Sequence, residues 1–459
     1  MRVAGRRRRG IAALGAVVMA AVVGLPSLAT GSPTASFEVN LTHDPHHFDG
    51  EPSVAINPVD PKNMIVIYLV NHQAFGPALY HGDPPVPPSS RELQQYIQGC
   101  NYAVTFDGGK TWTHHTLPTN DFGSDPVQSN CSDSIVVFDR HGVAFAMASA
   151  FAGLAFPADG EYRLISSRDG GRTWSKPGVV APGMLGRGST PLDYGGIRTY
   201  DDRPWLTLDD SDHTLYIDGT QLRADGSGLS SVYLTASRDG GQTFSNPIPV
   251  DPVGSAPLGS APLGAAFGTV AFTVPPSNLG GSSQCGCFDF VYSTDHAKSI
   301  KRVHTSIPAT GAAAQTVADP TRRGSFAVMT SDATGRVLVY RTADTGKTWH
   351  GVAVAGVAGT KVVKPWLAYS PKGVLGVGWR AQRPDGTYDF WVAVSYDHGK
   401  TLRQLTKLSR ASSHKSDPYE VGGDDTSSVA IGADELYAAW GDWRTGLADI
   451  WFGGVRLAR

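Results

Sequence analysis

The sequence has little that would support a helical, metal-dependent or nucleic-acid-binding protein. No stretch shows sustained helical periodicity with capping residues, which excludes a mainly helical fold. The 14 histidines show no HExxH or comparable ligand spacing, so we expect neither a metal ion nor another cofactor. The formal charge of −2 gives no basis for binding nucleic acid. What the chain has instead is 54 glycines and 31 prolines, which suit a turn-rich all-β protein.

The first 29 residues have the pattern of a secretory signal peptide. Four consecutive arginines, Arg6 to Arg9, precede an apolar run from Ile11 to Leu25, and small residues suited to a signal peptidase follow. The run is too short to span a bilayer comfortably. Removal of residues 1–29 takes away five arginines and no acidic residue, which moves the formal charge from −2 to −7. We therefore expect a secreted protein, exported by the general or the twin-arginine route, with a short leader at 30–35 and no membrane attachment.

Six copies of one eight-residue turn recur along the chain. Five follow the pattern Ser/Thr-x-Asp-x-Gly-x-Thr-Trp closely and one is degenerate. The copies are Thr105–Trp112, Ser167–Trp174, Ser237–Phe244, Thr342–Trp349, Ser395–Leu402 and the degenerate Ser293–Ile300. Their Asp residues lie 49 to 70 residues apart. A unit of that period, built of short strands, indicates a propeller or a solenoid.

The repeated turn resembles the Asp-box, or BNR repeat, of sialidases and their relatives. Glycine supplies the positive φ that a tight hairpin needs, and Asp accepts hydrogen bonds from backbone N–H groups of the turn. The resemblance covers the chain from about residue 50 to its C-terminus, and it implies a β-propeller with the Asp-boxes on the face opposite the active site. We therefore expect structural roles for Asp107, Asp169, Asp239, Asp295, Asp344 and Asp397.

The repeats predict a single propeller of four-stranded blades over residues 36–459. After the last Asp-box, one more unit of three strands fits between Thr426 and Phe452. The segment Ser36–Leu41 would supply its missing strand and close the ring, which removes exposed strand edges. This count favours seven blades, with six as the alternative. Six is the usual number in sialidases.

Four cysteines are disulfide candidates in an exported protein. Cys100 and Cys131 begin strands in the first two blades, so a bridge between them is expected. Cys285 and Cys287 would form a small ring or stay reduced. Two cysteines one residue apart are a poor pattern for zinc, so we expect no metal here.

Propeller topology nominates a site on the face opposite the Asp-boxes, where the inner strands start and the second strands end. Inner strands would bring these charged residues to the mouth of the central channel: Glu51, Asp133, Asp202, Arg203, Lys364, Asp424 and Asp425. Loops after the second strands would add Arg380 and Arg444, with aromatic side chains such as Trp205 and Trp366 nearby. Acids, arginines and aromatic rings around one cleft suit a sugar.

The sialidase resemblance assigns roles to these residues. Sialidases hold the sugar carboxylate with three arginines, and use an Asp acid/base and a Tyr nucleophile activated by Glu. The matching positions are Arg203, Arg380 and Arg444 for the clamp, Asp202 or Asp425 for the acid/base and Tyr419 with Glu420 for the nucleophile; Glu51 is a further catalytic acid, and Lys364 and Asp133 are further substrate ligands. The family's Arg-Ile-Pro motif is absent, and Glu51-Pro52-Ser53 stands near its place.

Three functions remain open from the sequence. The first is a secreted sialidase-like glycoside hydrolase acting on extracellular glycans. The second is a non-catalytic propeller that binds a glycan or a protein through the same face. The third is another hydrolase or lyase on the Asp-box scaffold. A clamp of three arginines around one cavity would favour the first, and arginines that each pair with a structural Asp would favour the second. Under each, we expect a monomer with a carbohydrate or glycoprotein partner.

Overall fold

Short antiparallel strands make up the regular structure of the protein. A computed structural model describes residues 36–45, 47–71, 98–118, 129–152, 159–180, 199–223, 230–250, 261–274, 286–309, 315–332, 334–353, 356–414 and 426–458. The strands form seven four-stranded sheets, which are the seven predicted blades. No helix in these ranges is long and apolar enough to cross a bilayer.

Each blade has four strands, and in blades 1 to 6 they run from the channel outward in chain order. Blade 1 consists of β2 (Phe48–Ile56), β3 (Met64–Asn71), β4 (Gln98–Thr105) and β5 (Thr113–Thr116). Blade 2 consists of β6 (Ser129–Phe138), β7 (Ala144–Ala152), β8 (Asp159–Ser167) and β9 (Gly178–Val179). Blade 3 consists of β10 (Thr199–Asp209), β11 (Thr214–Arg223), β12 (Ser230–Ser237) and β13 (Ile248–Pro249). Blades 4 and 5 consist of β14 (Gly264–Ala266), β15 (Thr269–Val274), β16 (Cys287–Ser293) and β17 (Lys301–Pro308); β18 (Gln315–Ala318), β19 (Phe326–Ser331), β20 (Val337–Thr342) and β21 (His350–Ala353).

Blade 6 consists of β22 (Lys361–Tyr369), β23 (Leu375–Gln382), β24 (Tyr388–Ser395) and β25 (Arg403–Lys407). Blade 7 joins both ends of the ring: β26 (Ser427–Ile431), β27 (Glu435–Asp442) and β28 (Asp449–Arg456) pair in order, and β1 (Ser36–Asn40) is the outermost strand. β1 runs antiparallel to β28, with Ser36 opposite Val455 and Asn40 opposite Trp451. The prediction of seven blades closed by an N-terminal strand is therefore confirmed.

The Asp-boxes are hydrogen-bonded turns between the third and fourth strands of their blades. In the third box, Asp239 accepts hydrogen bonds from the Ser237 hydroxyl (2.8 Å) and from the backbone N–H of Gln242 (3.0 Å) and Thr243 (2.9 Å). Partial burial raises the pKa of Asp239, but the hydrogen bonds from the Thr243 side chain and backbone outweigh it and lower the pKa to about 2. These contacts fit the structural role expected for the box aspartates.

The degenerate box keeps the geometry although it has lost both glycines. His296 and Ala297 have φ of 60° and 56°, in the left-handed region that glycine adopts at the second of these positions in every other box and at the first in three of them. Asp295 still accepts the Ser293 hydroxyl at 2.8 Å. The blade context therefore holds a turn that its own residues disfavour.

The aromatic residue at the end of a box packs on the preceding blade. Trp174 of blade 2 meets Tyr102 of blade 1, with ring centroids 5.7 Å apart, and Trp349 of blade 5 meets Phe290 of blade 4 at 5.1 Å. Both pairs are close to perpendicular, an arrangement that aromatic rings favour. The box thus links two blades, because its turn belongs to one blade and its aromatic ring packs against the preceding blade.

The two faces of the propeller differ as the topology requires. The backbone N–H of Gly108 in the first box donates to the carbonyl of Lys62, in the turn between β2 and β3 (3.0 Å). Asp-boxes and the turns after inner strands therefore share one face, which we call the box face. Inner strands start on the opposite face, which we call the loop face.

The predicted bridge between Cys100 and Cys131 is present, with the two Cα atoms 5.6 Å apart. It joins β4 of blade 1 to β6 of blade 2. Cys287 is also disulfide-bonded, and Cys285 lies outside the described residues. Residues 1–35, and with them the predicted signal peptide and leader, lie outside the described residues as well, so that export stays a prediction.

Candidate binding site at the mouth of the central channel

Four inner strands place a charged residue in an unusual backbone conformation at the same point. Glu51, Asp133, Arg203 and Lys364 have φ of 50°, 48°, 52° and 48°. Each lies at a shift in register between the first two strands of its blade, as in a β-bulge. A bulge bends the strand and redirects one side chain. Left-handed φ at a residue other than glycine costs about 1–3 kcal/mol and concentrates at functional sites.

The left-handed backbone is more unusual still because proline follows three of the four residues. Pro52, Pro204 and Pro365 directly follow three of the four residues. The residue before a proline is restricted to extended backbone in most proteins. The folded blades therefore hold Glu51, Arg203 and Lys364 in a conformation that the following proline disfavours.

Two tryptophans close the channel below these residues. Trp205 of blade 3 and Trp366 of blade 6 come from opposite sides of the ring, and their ring centroids lie 5.6 Å apart. Above them is a cavity of about 20 Å³ on the loop-face side, bordered by Glu51, Asp133 and Thr426 among others. Below them a cavity of about 320 Å³, lined by inner strands, extends toward the box face. The pair borders both cavities, so the mouth is a shallow cup with an aromatic floor.

The two carboxylates of the cup are neighbours. The backbone N–H of Asp133 donates to Glu51 Oε2 at 3.2 Å, and the Ser132 hydroxyl donates to Asp133 Oδ2 at 2.9 Å. Glu51 is buried, with 7% of its surface exposed. Glu51 therefore helps to hold the bulge of the next blade, and the structure brings Glu51 and Asp133 together at one side of the mouth.

Arg380 lies between blades 6 and 7 and is only 2% exposed. Its Nε donates to the Ser427 hydroxyl (3.1 Å), and its Nη2 donates to the carbonyl of Thr426 (3.0 Å). Its guanidinium also lies 5.1 Å from the centre of the Tyr388 ring. Thr426 borders the cup, so Arg380 positions part of its wall from behind.

Arg444 lies in the hairpin between β27 and β28. Its Nη2 bonds to Glu38 Oε1 (2.7 Å) and to Asp442 Oδ2 (2.5 Å), and its guanidinium stacks 3.9 Å from the centre of the Trp451 ring. Glu38 belongs to β1, the outermost strand of blade 7. Arg444 therefore forms a structural ion pair with a nearby Asp, Asp442, which was the alternative to a role in the clamp.

The three predicted clamp arginines lie at different parts of the propeller. Arg203 is exposed on the first strand of blade 3, Arg380 holds the innermost strand of blade 7, and Arg444 holds its outermost strand. The clamp stays a prediction.

Several predicted catalytic residues cannot be placed. Tyr419, Glu420, Asp424 and Asp425 lie outside the described residues. The backbone of Asp202 pairs with Thr220 beside the blade 3 bulge, but its side chain is outside the description. In the ranges that the structure describes, no group of three or more His, Cys, Asp or Glu side chains is arranged to hold a metal ion.

Solved structures with the same fold include sialidases. The Hadza microbial sialidase Hz136 superimposes with a TM-score of 0.51 at 14% identity, over 92% of this chain and 68% of that one. A protein of unknown function from Dyadobacter fermentans gives 0.49 at 12% identity, over 92% and 98%. A leech intramolecular trans-sialidase gives 0.47 at 12% identity, over 92% and 93%. No family model matches the chain, and the search of curated proteins found no relative.

Proposed function

From the premise that the chain is a sialidase-like Asp-box propeller, we propose that it is an exported carbohydrate-binding protein whose site is the cup on the loop face. The observation that carries this is the position of Glu51 and Asp133 beside the Trp205–Trp366 pair at the cup, with Arg203 and Lys364 at the matching bulges of blades 3 and 6. A sugar needs an apolar surface for its C–H face and polar groups for its hydroxyls. The cup has both.

The state of the arginines favours binding over sialidase chemistry. A clamp needs guanidinium groups whose donors are available to a carboxylate. Arg380 donates to Ser427 and Thr426, and Arg444 donates to Glu38 and Asp442. Breaking these contacts to bind substrate would leave buried acceptors unsatisfied, at a cost of about 1–3 kcal/mol each. Arg203 and Lys364 lie at the bulges where the inner strands of blades 3 and 6 begin, and Arg203 is exposed there.

A second candidate, glycoside hydrolysis, rests on the neighbouring carboxylates. Glu51 and Asp133 are joined through a backbone hydrogen bond at the cup. Two carboxyl groups flanking a glycosidic bond are the usual machinery of glycosidases, and their separation decides between retention and inversion. In this version, Glu51 and Asp133 replace the tyrosine nucleophile that sialidases use.

A glycan array with the purified protein, followed by calorimetry on the best ligand, tests the binding proposal. Trp366→Ala removes half of the aromatic floor and should weaken binding by about 30-fold. Arg203→Ala removes one exposed cation at the rim and should weaken it by about tenfold. Lys400→Ala, an exposed cation of the box face, is the matched control and should change affinity by less than about twofold.

A panel of fluorogenic aryl glycosides that includes a sialoside separates the two candidates. Aglycone release that disappears in Glu51→Gln or Asp133→Asn would establish hydrolysis at the cup. Binding without release supports the primary proposal. Array binding that survives both Trp366→Ala and Arg203→Ala would refute the cup as the site.

A further inference from the structure

A second cavity lies on the box face, in the seam between blades 2 and 3. Its volume is about 560 Å³, compared with about 320 Å³ for the cavity in the channel. Its walls come from the Asp-boxes of both blades and from the turns that follow their inner strands. We call this cavity the seam groove; its lining includes Phe145, Leu164, Arg168, Lys176, His213 and Arg238.

The seam groove collects cations on a chain that carries more acidic than basic residues. Arg168, Lys176 and Arg238 line it, and all three are exposed. None of them forms a side-chain hydrogen bond or an ion pair with another residue of the described ranges. Arg172, in the same box as Arg168, is engaged instead: it stacks 3.5 Å from the centre of the Phe106 ring. Arg238 also interacts electrostatically with Tyr216. Within the described residues, the hydrogen-bond donors of the three lining cations are therefore not taken up by other side chains.

Arg168 and Arg238 occupy the same position in consecutive Asp-boxes, directly before the Asp. The other four boxes have Phe106, Thr294, Ala343 and Tyr396 there. The box turn fixes the backbone at this position, and both arginines border the seam groove. Blades 2 and 3 are the only adjacent pair whose boxes both carry arginine at that position.

The acidic residues of the seam groove accept hydrogen bonds from the turns to which they belong. Asp139 Oδ1 accepts the backbone N–H of His141 (2.9 Å) and of Val143 (2.8 Å). Asp239 accepts the box hydrogen bonds that lower its pKa to about 2. Neither carboxylate bonds to a lining cation among the described residues. The hydrogen-bonding groups left for a ligand are therefore mainly donors.

Flat groups form the rest of the wall and floor. The rings of His141 and His213 stack with centroids 5.0 Å apart, and Arg140 Nη2 lies 2.8 Å from His213 Nε2. The floor includes Phe145 and Leu164, which are 7% and 5% exposed. An apolar strip with cations along its edges matches a sugar ring that carries an acidic substituent.

We infer that the seam groove is a second binding site, for an anionic oligosaccharide bearing carboxylate or sulfate groups. Arg168 and Arg238 would each donate paired hydrogen bonds to an acidic group, and Lys176 would contribute a point charge. The site is distinct from the cup because it lies on the opposite face and shares no lining residue with it.

Two other polyanions fit the groove less well. A peptide would bind by adding a strand to a free edge, but β9, the outer strand of blade 2, has only two residues. Nucleic acid engages about 6–10 phosphates in a typical complex, whereas Arg168, Lys176 and Arg238 are the Lys and Arg residues that line the groove. A short acidic glycan needs neither a long edge nor a long row of cations.

Binding of fluorescently labelled hexasaccharides to the purified protein tests the inference. The probes are a hyaluronan hexasaccharide (carboxylate only), a heparin-derived hexasaccharide (sulfate and carboxylate) and a neutral chitin hexasaccharide, with hexaglutamate as the peptide probe. Arg168→Ala/Arg238→Ala removes the paired arginines. Lys298→Ala/Lys347→Ala removes the same charge from exposed lysines of blades 4 and 5, and is the matched control. Thermal unfolding checks that both variants are folded.

We expect at least one anionic hexasaccharide to bind, the neutral one not to bind, and the arginine variant to lose about tenfold or more in affinity. The lysine variant should stay within about twofold. Binding of hyaluronan identifies carboxylate as sufficient, and binding of heparin alone identifies sulfate as required. No anionic binding, equal losses in both variants, or equal binding of hexaglutamate would overturn the inference. Trp366→Ala should leave this binding unchanged, so that failure of the cup and failure of the groove are distinguishable.

Discussion

Replacing Arg444 by alanine separates a structural role from a substrate-binding role. The side chain is 12% exposed, and its partners Glu38 and Asp442 have side chains only 2% and 1% exposed. Removing one partner of a buried ion pair leaves uncompensated charge and costs about 3–5 kcal/mol. The lost stack on Trp451, 3.9 Å from the guanidinium, adds up to about 2 kcal/mol. We therefore expect Arg444→Ala to lower the free energy of unfolding by about 3–5 kcal/mol or slightly more.

Urea unfolding of the wild type and the variant, analysed by linear extrapolation, measures this loss. The affinity of the folded Arg444→Ala variant for the array ligand should be unchanged within about twofold. Arg203→Ala is the counterpart: its side chain is exposed, so that it should change affinity without changing stability. An Arg444→Ala variant with wild-type stability and abolished binding would refute the structural role and restore the clamp.

Three further predictions concern stability. The pKa of Asp239 is about 2 in the folded protein against 3.8 ordinarily, so that its contribution is complete above about pH 4 and lost between about pH 4 and 2. Since this carboxylate is exposed, it should contribute at most about 1 kcal/mol to the free energy of unfolding. The measurement is the difference in urea midpoint between pH 5 and pH 3, which Asp239→Asn should reduce. Cys100→Ser/Cys131→Ser opens a bridge of sequence separation 31 and should cost about 4 kcal/mol in the same urea assay. Gly346→Ala would bring a Cβ within 2.5 Å of Phe290 at a φ of +84° and should cost about 2–4 kcal/mol, again by urea; a neutral effect would show that the seam yields easily.

The repeated turn made most of the fold predictable. An Asp-box is local: Asp239 is bonded within a span of four residues, so that its chemistry is readable from consecutive letters. Its period then implied blades, and the unmatched strands at the two ends implied the closure that β1 and β28 form. The Cys100–Cys131 bridge followed from the same blade assignment.

The site was predictable only in part. The starts of inner strands could be named, because topology alone places Glu51, Asp133, Arg203 and Lys364 around the channel. Their left-handed backbone could not be named, since it depends on register shifts against the second strand of each blade. The seam groove had a sequence signal in the Ser-Arg-Asp repeats of two consecutive boxes, but its volume depends on how two blades pack.

The architecture can therefore be read from the amino-acid sequence, because it rests on hydrogen bonds that span a few residues and on a repeat that can be aligned along the chain. The contacts of individual side chains depend on the folded ring. Arg444 lies two residues from Asp442 but 406 residues from Glu38, and it meets Glu38 only because the ring closes. Trp205 and Trp366 touch only because blades 3 and 6 face each other across the channel. Contacts between distant segments depend on the path of the whole ring, and a local pattern contains no record of that path.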